Sequence, residues 1–295
     1  MKRNAAERTL SGLNITILVL FSLLCIYPIY FFLINSFSST DAISRGVYFF
    51  PRELTLYNYK TLFEDNNIVG SFFVSVARTV TGTILTCICS SFIAYLFTQK
   101  DLPGRKFFYR MVVVTMYLNA GLIPWYIVMK AYGLKNNFLL YILPFAVTAF
   151  YVILVKTYIE SLSPALEESA AIDGAGIIKI FTAIIFPLSL PVIASVAVFA
   201  AVGQWNAWYD NFMLVSDAKL KTLQLVLFDY LRKQVMQVIS SSGSATSSNA
   251  AASNQVTPMS VRITITMVTI FPIMLIYPLL QKYFIKGIML GAVKG

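Results

Sequence analysis

The sequence predicts an all-α polytopic membrane protein with six transmembrane helices. Three observations carry this. Of 295 residues, 58% are hydrophobic and only 12% charged. The mean hydropathy is +0.72. Charge-free apolar stretches long enough to cross a bilayer recur along the chain. A soluble domain carries roughly 45–50% apolar and about 25% charged residues. This composition therefore argues against a soluble enzyme, a disordered chain and a disulfide-stapled module.

A spanning helix needs roughly 20 apolar residues without charge. Six windows between successive charged residues meet that need: Thr9–Thr40, Thr79–Gln99, Met111–Met129, Asn136–Val155, Ile180–Tyr209 and Ile263–Gln281. The predicted spans are 12–37, 68–99, 107–130, 138–160, 180–205 and 263–284. The first apolar run exceeds the h-region of a signal peptide and shows no clear cleavage site, so it reads as a span. Residues 240–254 of a further charge-free window, Gln234–Val261, are rich in Ser, Ala and Asn, a polar linker unfit for lipid. Prolines in or beside the spans, among them Pro144, Pro187, Pro191 and Pro272, are tolerated where neighbours re-satisfy the freed carbonyls.

Six spans put both termini on one side. Basic residues divide almost evenly between the two sides. The segments on the side of the termini are much shorter, so their charge density favours cytoplasmic termini (residues 1–11 and 285–295). Segments 38–67 and 206–262 then lie outside. The first holds Tyr48-Phe-Phe-Pro-Arg and Leu56-Tyr-Asn-Tyr, aromatics suited to a membrane surface. The net charge of +10 sits at span flanks, not in a stripe, so nucleic acid is not a partner. Cys25, Cys87 and Cys89 lie in apolar stretches and read as small hydrophobes.

The inner loop 161–179 is the most informative segment. Ser163 suits an N-cap and Pro164 the first helical position. Glu167 and Glu168 fall where the helix dipole favours acids, and Gly174 and Gly176 would end the helix. This predicts a helix of about three turns outside the membrane. Ala165, Ser169, Ala170 and Ala171 allow another surface to approach it closely. On these grounds alone it is either a capped connector or a docking element.

From Glu168 the segment reads Glu-Ser-Ala, then Gly174, then Ile184-x-Phe186-Pro187. This resembles the EAA loop of ABC importer permeases, with Ser169 and Phe186 in place of Ala and Leu. The longer Glu-Glu-Ser-Ala-Ala-Ile-Asp-Gly-Ala is similar to the version in carbohydrate importers. Leu102-Pro-Gly-Arg-Lys, Gly121-Leu-Ile-Pro, Gly203-Gln-Trp-Asn and Tyr277-Pro-Leu-Leu-Gln-Lys-Tyr-Phe-Ile-Lys-Gly agree. So does the terminal Gly-Ala-Val-Lys-Gly, and the resemblance covers nearly the whole chain beyond the first span.

The resemblance implies the type I ABC importer permease fold and a bacterial plasma-membrane location, with the loop cytoplasmic. It implies a companion permease, two ATPase subunits and an extracytoplasmic solute-binding protein. It implies inward carbohydrate transport, of an oligosaccharide before a monosaccharide. Ala165, Glu167, Glu168, Ser169, Ala170, Asp173, Gly174 and Ala175 would couple to the ATPase. Val293, Lys294 and Gly295 would contact it from the tail. The chain itself would hold no cofactor, ATP and Mg being bound by the partner.

Sugars stack on aromatic faces and exchange hydrogen bonds with amides. Polar and aromatic residues at membrane depth therefore mark a candidate substrate path: Asn119, Trp125, Tyr126, Gln204, Trp205, Asn206, Trp208 and Tyr209. Arg78 and Lys156, near span ends, read as snorkelling side chains. No catalytic set is visible. There is no His, no phosphate-binding Gly loop, and adjacent Glu167 and Glu168 would point about 100° apart. An ion- or proton-coupled secondary transporter would want ionisable groups deep in the spans, and the six windows contain none. An ABC permease for a non-sugar solute is the other alternative.

Overall fold

The computed structural model describes residues 5–64, 66–118, 120–241 and 257–292. These residues are helical almost throughout, and their one β feature is an isolated bridge between Ser38 and Leu54. Three helices are long and apolar enough to cross a membrane unaided, or five if each of two bent pairs makes one span. The six-helix count expected from the sequence is therefore not reached helix by helix, for reasons set by glycine and proline.

The chain divides into two compact units, residues 1–66 with 229–271 and residues 67–228 with 272–295. In the first, helix α1 (Ala5–Ser36) runs unbroken through Pro28. Its apolar side chains stand bare along most of its length, Leu13 and Leu24 being 61% and 72% exposed. Its C-terminal end is dressed by the segment that follows. Asn35 Nδ2 donates to the Val47 carbonyl at 3.0 Å, and Tyr27 and Tyr30 donate to the carbonyls of Tyr48 and Phe49. Short helices α2 (Thr40–Arg45) and α3 (Tyr57–Glu64) lie in this segment. Asn58 Nδ2 donates to the Ser38 carbonyl at 2.9 Å, and the Tyr59 hydroxyl meets the Ser36 hydroxyl at 2.8 Å. Burial pushes the Tyr59 phenol above its usual range, against the opposing pull of that hydrogen bond.

The second unit is organised around α4 (Asn66–Leu96). Some of its hydroxyls bond back to their own helix, Thr79 to the Ser75 carbonyl and Ser91 to the Cys87 carbonyl, which lowers their cost in an apolar setting, while those of Ser71, Thr83 and Ser90 are buried without a partner among the described residues. The expected third span divides into α5 (Arg105–Thr115) and α6 (Leu122–Ala131). Gly121, at φ +82°, interrupts the helix in a conformation that side chains disfavour. Pro124 then sits in the first turn of α6, where no amide hydrogen is missed.

The fourth stretch is two 3₁₀ turns over Phe138–Phe145, bent by 46° from α7 (Ala149–Ile159), with Pro144 in the second turn. After α8 (Ala165–Ile172), α9 (Ile177–Leu188) contains a π-helical segment over Phe181–Ile185 and meets α10 (Leu190–Asn206) at 80°. Pro187 and Pro191 flank this bend and remove two amide hydrogens from consecutive turns. The sequence reading expected proline to be tolerated in or beside the spans. Helix α1 runs unbroken through Pro28, and α13 (Pro258–Ala292) through Pro272 and Pro278. The chain bends instead beside Pro144 and where Pro187 and Pro191 fall one turn apart. Helices α11 (Tyr209–Leu214) and α12 (Leu223–Ser241) lie within the predicted outer segment 206–262. Of the Ser/Ala/Asn-rich linker, Ser240 and Ser241 fall at the end of α12, and residues 242–254 lie outside the described residues.

Candidate functional site

Two places in the second unit concentrate polar chemistry. The first is on α4. Ser75, Arg78, Gly82 and Thr86 recur every three or four residues and so share one face of the helix. Arg78 is 1% exposed. Its Nη1 and Nη2 donate to the two carboxylate oxygens of Asp210, at 3.1 and 2.6 Å, in a bidentate pair. Nε donates to Gln204 Oε1 at 2.9 Å and Nη1 to the Ala207 carbonyl at 3.2 Å. The guanidinium lies 4.6 Å from the Tyr141 ring centre. Tyr141 donates to the Leu220 carbonyl at 2.6 Å and accepts from Asn211 Nδ2. Ser75 accepts the Leu223 amide at 2.8 Å, and Thr86 donates to the Phe145 carbonyl at 2.9 Å. One face of α4 thus pins segments from 141 to 223.

The sequence reading had Arg78 snorkelling at a span end and no ionisable group deep in a span. Both statements are corrected. The charge-free window began at Thr79, but the predicted span 68–99 already enclosed Arg78, as α4 does from its start twelve residues before it. A buried arginine is tolerated because Asp210 cancels its charge and four of its five N–H donors are matched by acceptors. Gly82 is also part of the cluster. A Cβ there would meet Gln204 Nε2 at 2.7 Å, so only glycine lets that amide reach Arg78. Lys156 pairs with Glu160 at 2.5 Å and lies 4.7 Å from the Tyr109 ring centre.

Two cavities flank the ion pair. One, of about 400 Å³, is lined by residues including Trp125, Asn206, Trp208, Tyr209 and Asp210. The other, of about 170 Å³, is lined by residues including Arg78, Thr148, Tyr151 and Gln204. Phe145 and Ala207 border both. Of the substrate-path candidates, Trp125, Asn206, Trp208 and Tyr209 therefore share one cavity wall and Gln204 lines the next. Trp208 stacks on Phe228, ring centres 4.3 Å apart, and Gln224 Nε2 donates to Asn206 Oδ1 at 3.1 Å. Tyr126 instead packs against the cluster of Leu134, Leu140 and Leu214. Trp205 is buried edge-on to Phe72. Asn119 lies outside the described residues.

The second place is α8, eight residues and roughly two turns long, shorter than expected. Pro164 has helical dihedrals and no side chain caps the start at that residue. The end is a Schellman motif. Gly174, at φ +79°, donates to the Ala171 carbonyl at 3.0 Å, and Ala175 to the Ala170 carbonyl at 3.0 Å. That early stop by Gly174 is why the third turn is missing. Ala170 is buried in the cluster formed by Tyr95, Phe97, Ile159 and Phe181. Glu167 Oε1 accepts from the Tyr95 hydroxyl at 2.8 Å and from Gln99 Nε2 at 2.5 Å. Ala165, Glu168, Ser169, Asp173 and Gly174 are exposed. So are Leu166 (42%), Ile172 (86%), Ile177 (52%) and Ile178 (70%). A capped helix seated by one face thus presents an apolar and acidic tip. Val293, Lys294 and Gly295 lie outside the described residues.

No family model matches the chain. It is 33% identical over 279 residues to the polygalacturonan/rhamnogalacturonan transport system permease protein YtcP of Bacillus subtilis, covering 94% of this chain and 96% of that protein. It is 32% identical over 296 residues to Protein LplC of Bacillus subtilis, covering 100% and 98%. Among solved structures it matches a chain of a bacterial ABC transporter involved in the import of the acidic polysaccharide alginate. The TM-score is 0.83 at 26% identity, covering 96% of this chain and 99% of that one.

Proposed function

We infer the workings of this chain from its family, for it belongs to the permease subunits of carbohydrate ABC importers. It is a membrane transport subunit and not an enzyme. We propose that it crosses the plasma membrane six times with both termini in the cytoplasm, the third crossing made by α5 and α6 together. It works with a companion permease, two ATPase subunits and an extracytoplasmic solute-binding protein. ATP and Mg are bound by the ATPases. The solute is an oligosaccharide. The pectic and alginate polymers named for the relatives support that class.

The mechanism follows from the two polar places. Helix α8 is the coupling element, and Leu166, Ile172, Ile177 and Ile178 are the side chains that enter the ATPase. Closure of the ATPases on ATP displaces α8, and its seat on α4 and α9 passes the displacement to the spans. Sugar passes the cavity of Trp125, Asn206, Trp208 and Tyr209, where indole and phenol faces meet sugar rings and the Asn206 amide meets hydroxyls. Arg78 and Asp210 leave this cavity without net charge.

The observation that carries the proposal is that Leu166 and Ile172 of α8, with Ile177 and Ile178 at the start of α9, stand exposed beside an Ala170 seated in the core. The experiment replaces Glu168 or Gly174 and measures co-purification of the ATPase and uptake of labelled oligosaccharide. Loss of both supports the coupling role. Full binding and full uptake contradict it.

A further inference from the structure

The two adjacent glutamates of α8 point about 100° apart, as their spacing on a helix requires, and meet different surroundings. Glu168 is exposed on the face offered to a partner. Glu167 is turned inward, and its side chain accepts from Tyr95 at the C-terminal end of α4 and from Gln99 just beyond it. Tyr95, which donates one of them, is 0% exposed and belongs to the same buried cluster as Ala170. Its ring stacks on Phe181, with centres 5.5 Å apart and planes 28° from parallel. Phe181 opens the π-helical segment of α9, just after α8. Gln99, the other donor, lies three residues beyond α4.

A single carboxylate oxygen therefore accepts from two groups at the end of one long helix. A carboxylate acceptor makes a shorter and stronger hydrogen bond than a neutral one. The Tyr95 hydroxyl is held at low exposure, where water competes poorly for the bond.

We propose that Glu167 is a positioning residue that locks α8 to the end of α4, so that the two move as one body. Glu168 and the exposed isoleucines take the force from outside, and Glu167 hands it to α4. This rests on reading α8 as the coupling helix, but the lock itself belongs to this chain alone and can be tested without any partner.

The test uses the full chain in lipid nanodiscs, with Cys25, Cys87 and Cys89 replaced. Nitroxides are placed at Ile84→Cys on α4 and Ile172→Cys at the end of α8, both exposed positions. Pulsed electron resonance reads the distribution of distances between them. A narrow distribution is expected in the otherwise unmodified chain. Tyr95→Phe and Glu167→Ala should each broaden it. Glu167→Gln, which keeps an oxygen able to accept from Tyr95, should restore much of the narrowness. Glu168→Ala should leave it unchanged. Broadening by Glu168→Ala as large as that by Glu167→Ala, or a narrow distribution in both Tyr95→Phe and Glu167→Ala, overturns the proposal. In the assembled importer, vanadate trapping of the ATPase should leave the 84–172 separation constant in the unmodified chain and change it in Tyr95→Phe. A separation that changes in the unmodified chain also overturns the lock. Failure of the ATPase to associate would be an effect of the label at position 172, one of the positions proposed to enter the ATPase, and leaves the nanodisc result to decide the lock.

Discussion

Helix α4 touches two polar groups of opposite character. At its middle, Arg78 is closed in on itself, with Asp210, Gln204 and the Ala207 carbonyl taking its donors and 1% of its surface left exposed. Just past its C-terminal end, Tyr95 and Gln99 hold a short helix whose opposite face is bare, with Ile172 86% exposed. The first is complete within one chain, and its charges cancel. The second is complete on one side only. A charge answered internally fixes a fold, whereas an apolar face left open on a firmly seated helix is addressed to another molecule.

The contrast can be broken from either side. The largest effect is expected at the closed cluster. Arg78→Ala or Asp210→Ala alone should lower stability by about 3–5 kcal/mol, because each strands an unpaired buried charge. The double replacement Arg78→Met, Asp210→Leu should recover much of that loss. Thermal unfolding of the detergent-purified protein reads both. At the open face, Ile172→Asp should leave thermal unfolding unchanged and weaken ATPase binding by about tenfold or more, as expected for losing one buried apolar side chain at an interface. Gly174→Ala should cost about 1–2 kcal/mol locally, because alanine is strained at a left-handed φ. Hydrogen exchange over residues 165–175 would show it as faster opening. The smallest effect is expected at Gly82. Alanine there displaces the Gln204 amide from Arg78 but gains helix propensity, for a net loss of about 1 kcal/mol. A larger loss at Gly82 than at Arg78 would reverse the ranking of the cluster.

Much of this was legible in the sequence, and the reasons for the rest are physical. Composition alone predicted a helical membrane protein. The spacing from Glu168 through Gly174 to Pro187 marked the family. The polar and aromatic run from Gln204 to Tyr209 was singled out, and four of its members line the two cavities. Trp205 does not, because its position on α10 turns it to Phe72. Arg78 was misjudged, although the predicted span 68–99 enclosed it, because nothing near it in the sequence offers its charge a partner. Its partner Asp210 lies 132 residues away, beyond any local pattern. The stripe of Ser75, Arg78, Gly82 and Thr86 was the available signal. Broken spans were missed because proline is ambiguous in isolation. Pro28 leaves α1 continuous, while Pro187 and Pro191 together give an 80° bend. The split between Glu167 and Glu168 depends on what lies at the end of α4, which no spacing within the loop encodes.

The central claim is that the tip of α8 enters a cytoplasmic ATPase. A photo-crosslinking amino acid at position 172, in cells making the whole importer, tests it most directly. A crosslink to the ATPase subunit, together with no labelling of a cysteine at 172 by a membrane-impermeant maleimide in intact cells, is the outcome expected. Labelling of that cysteine from outside, with no crosslink to the ATPase, would contradict it.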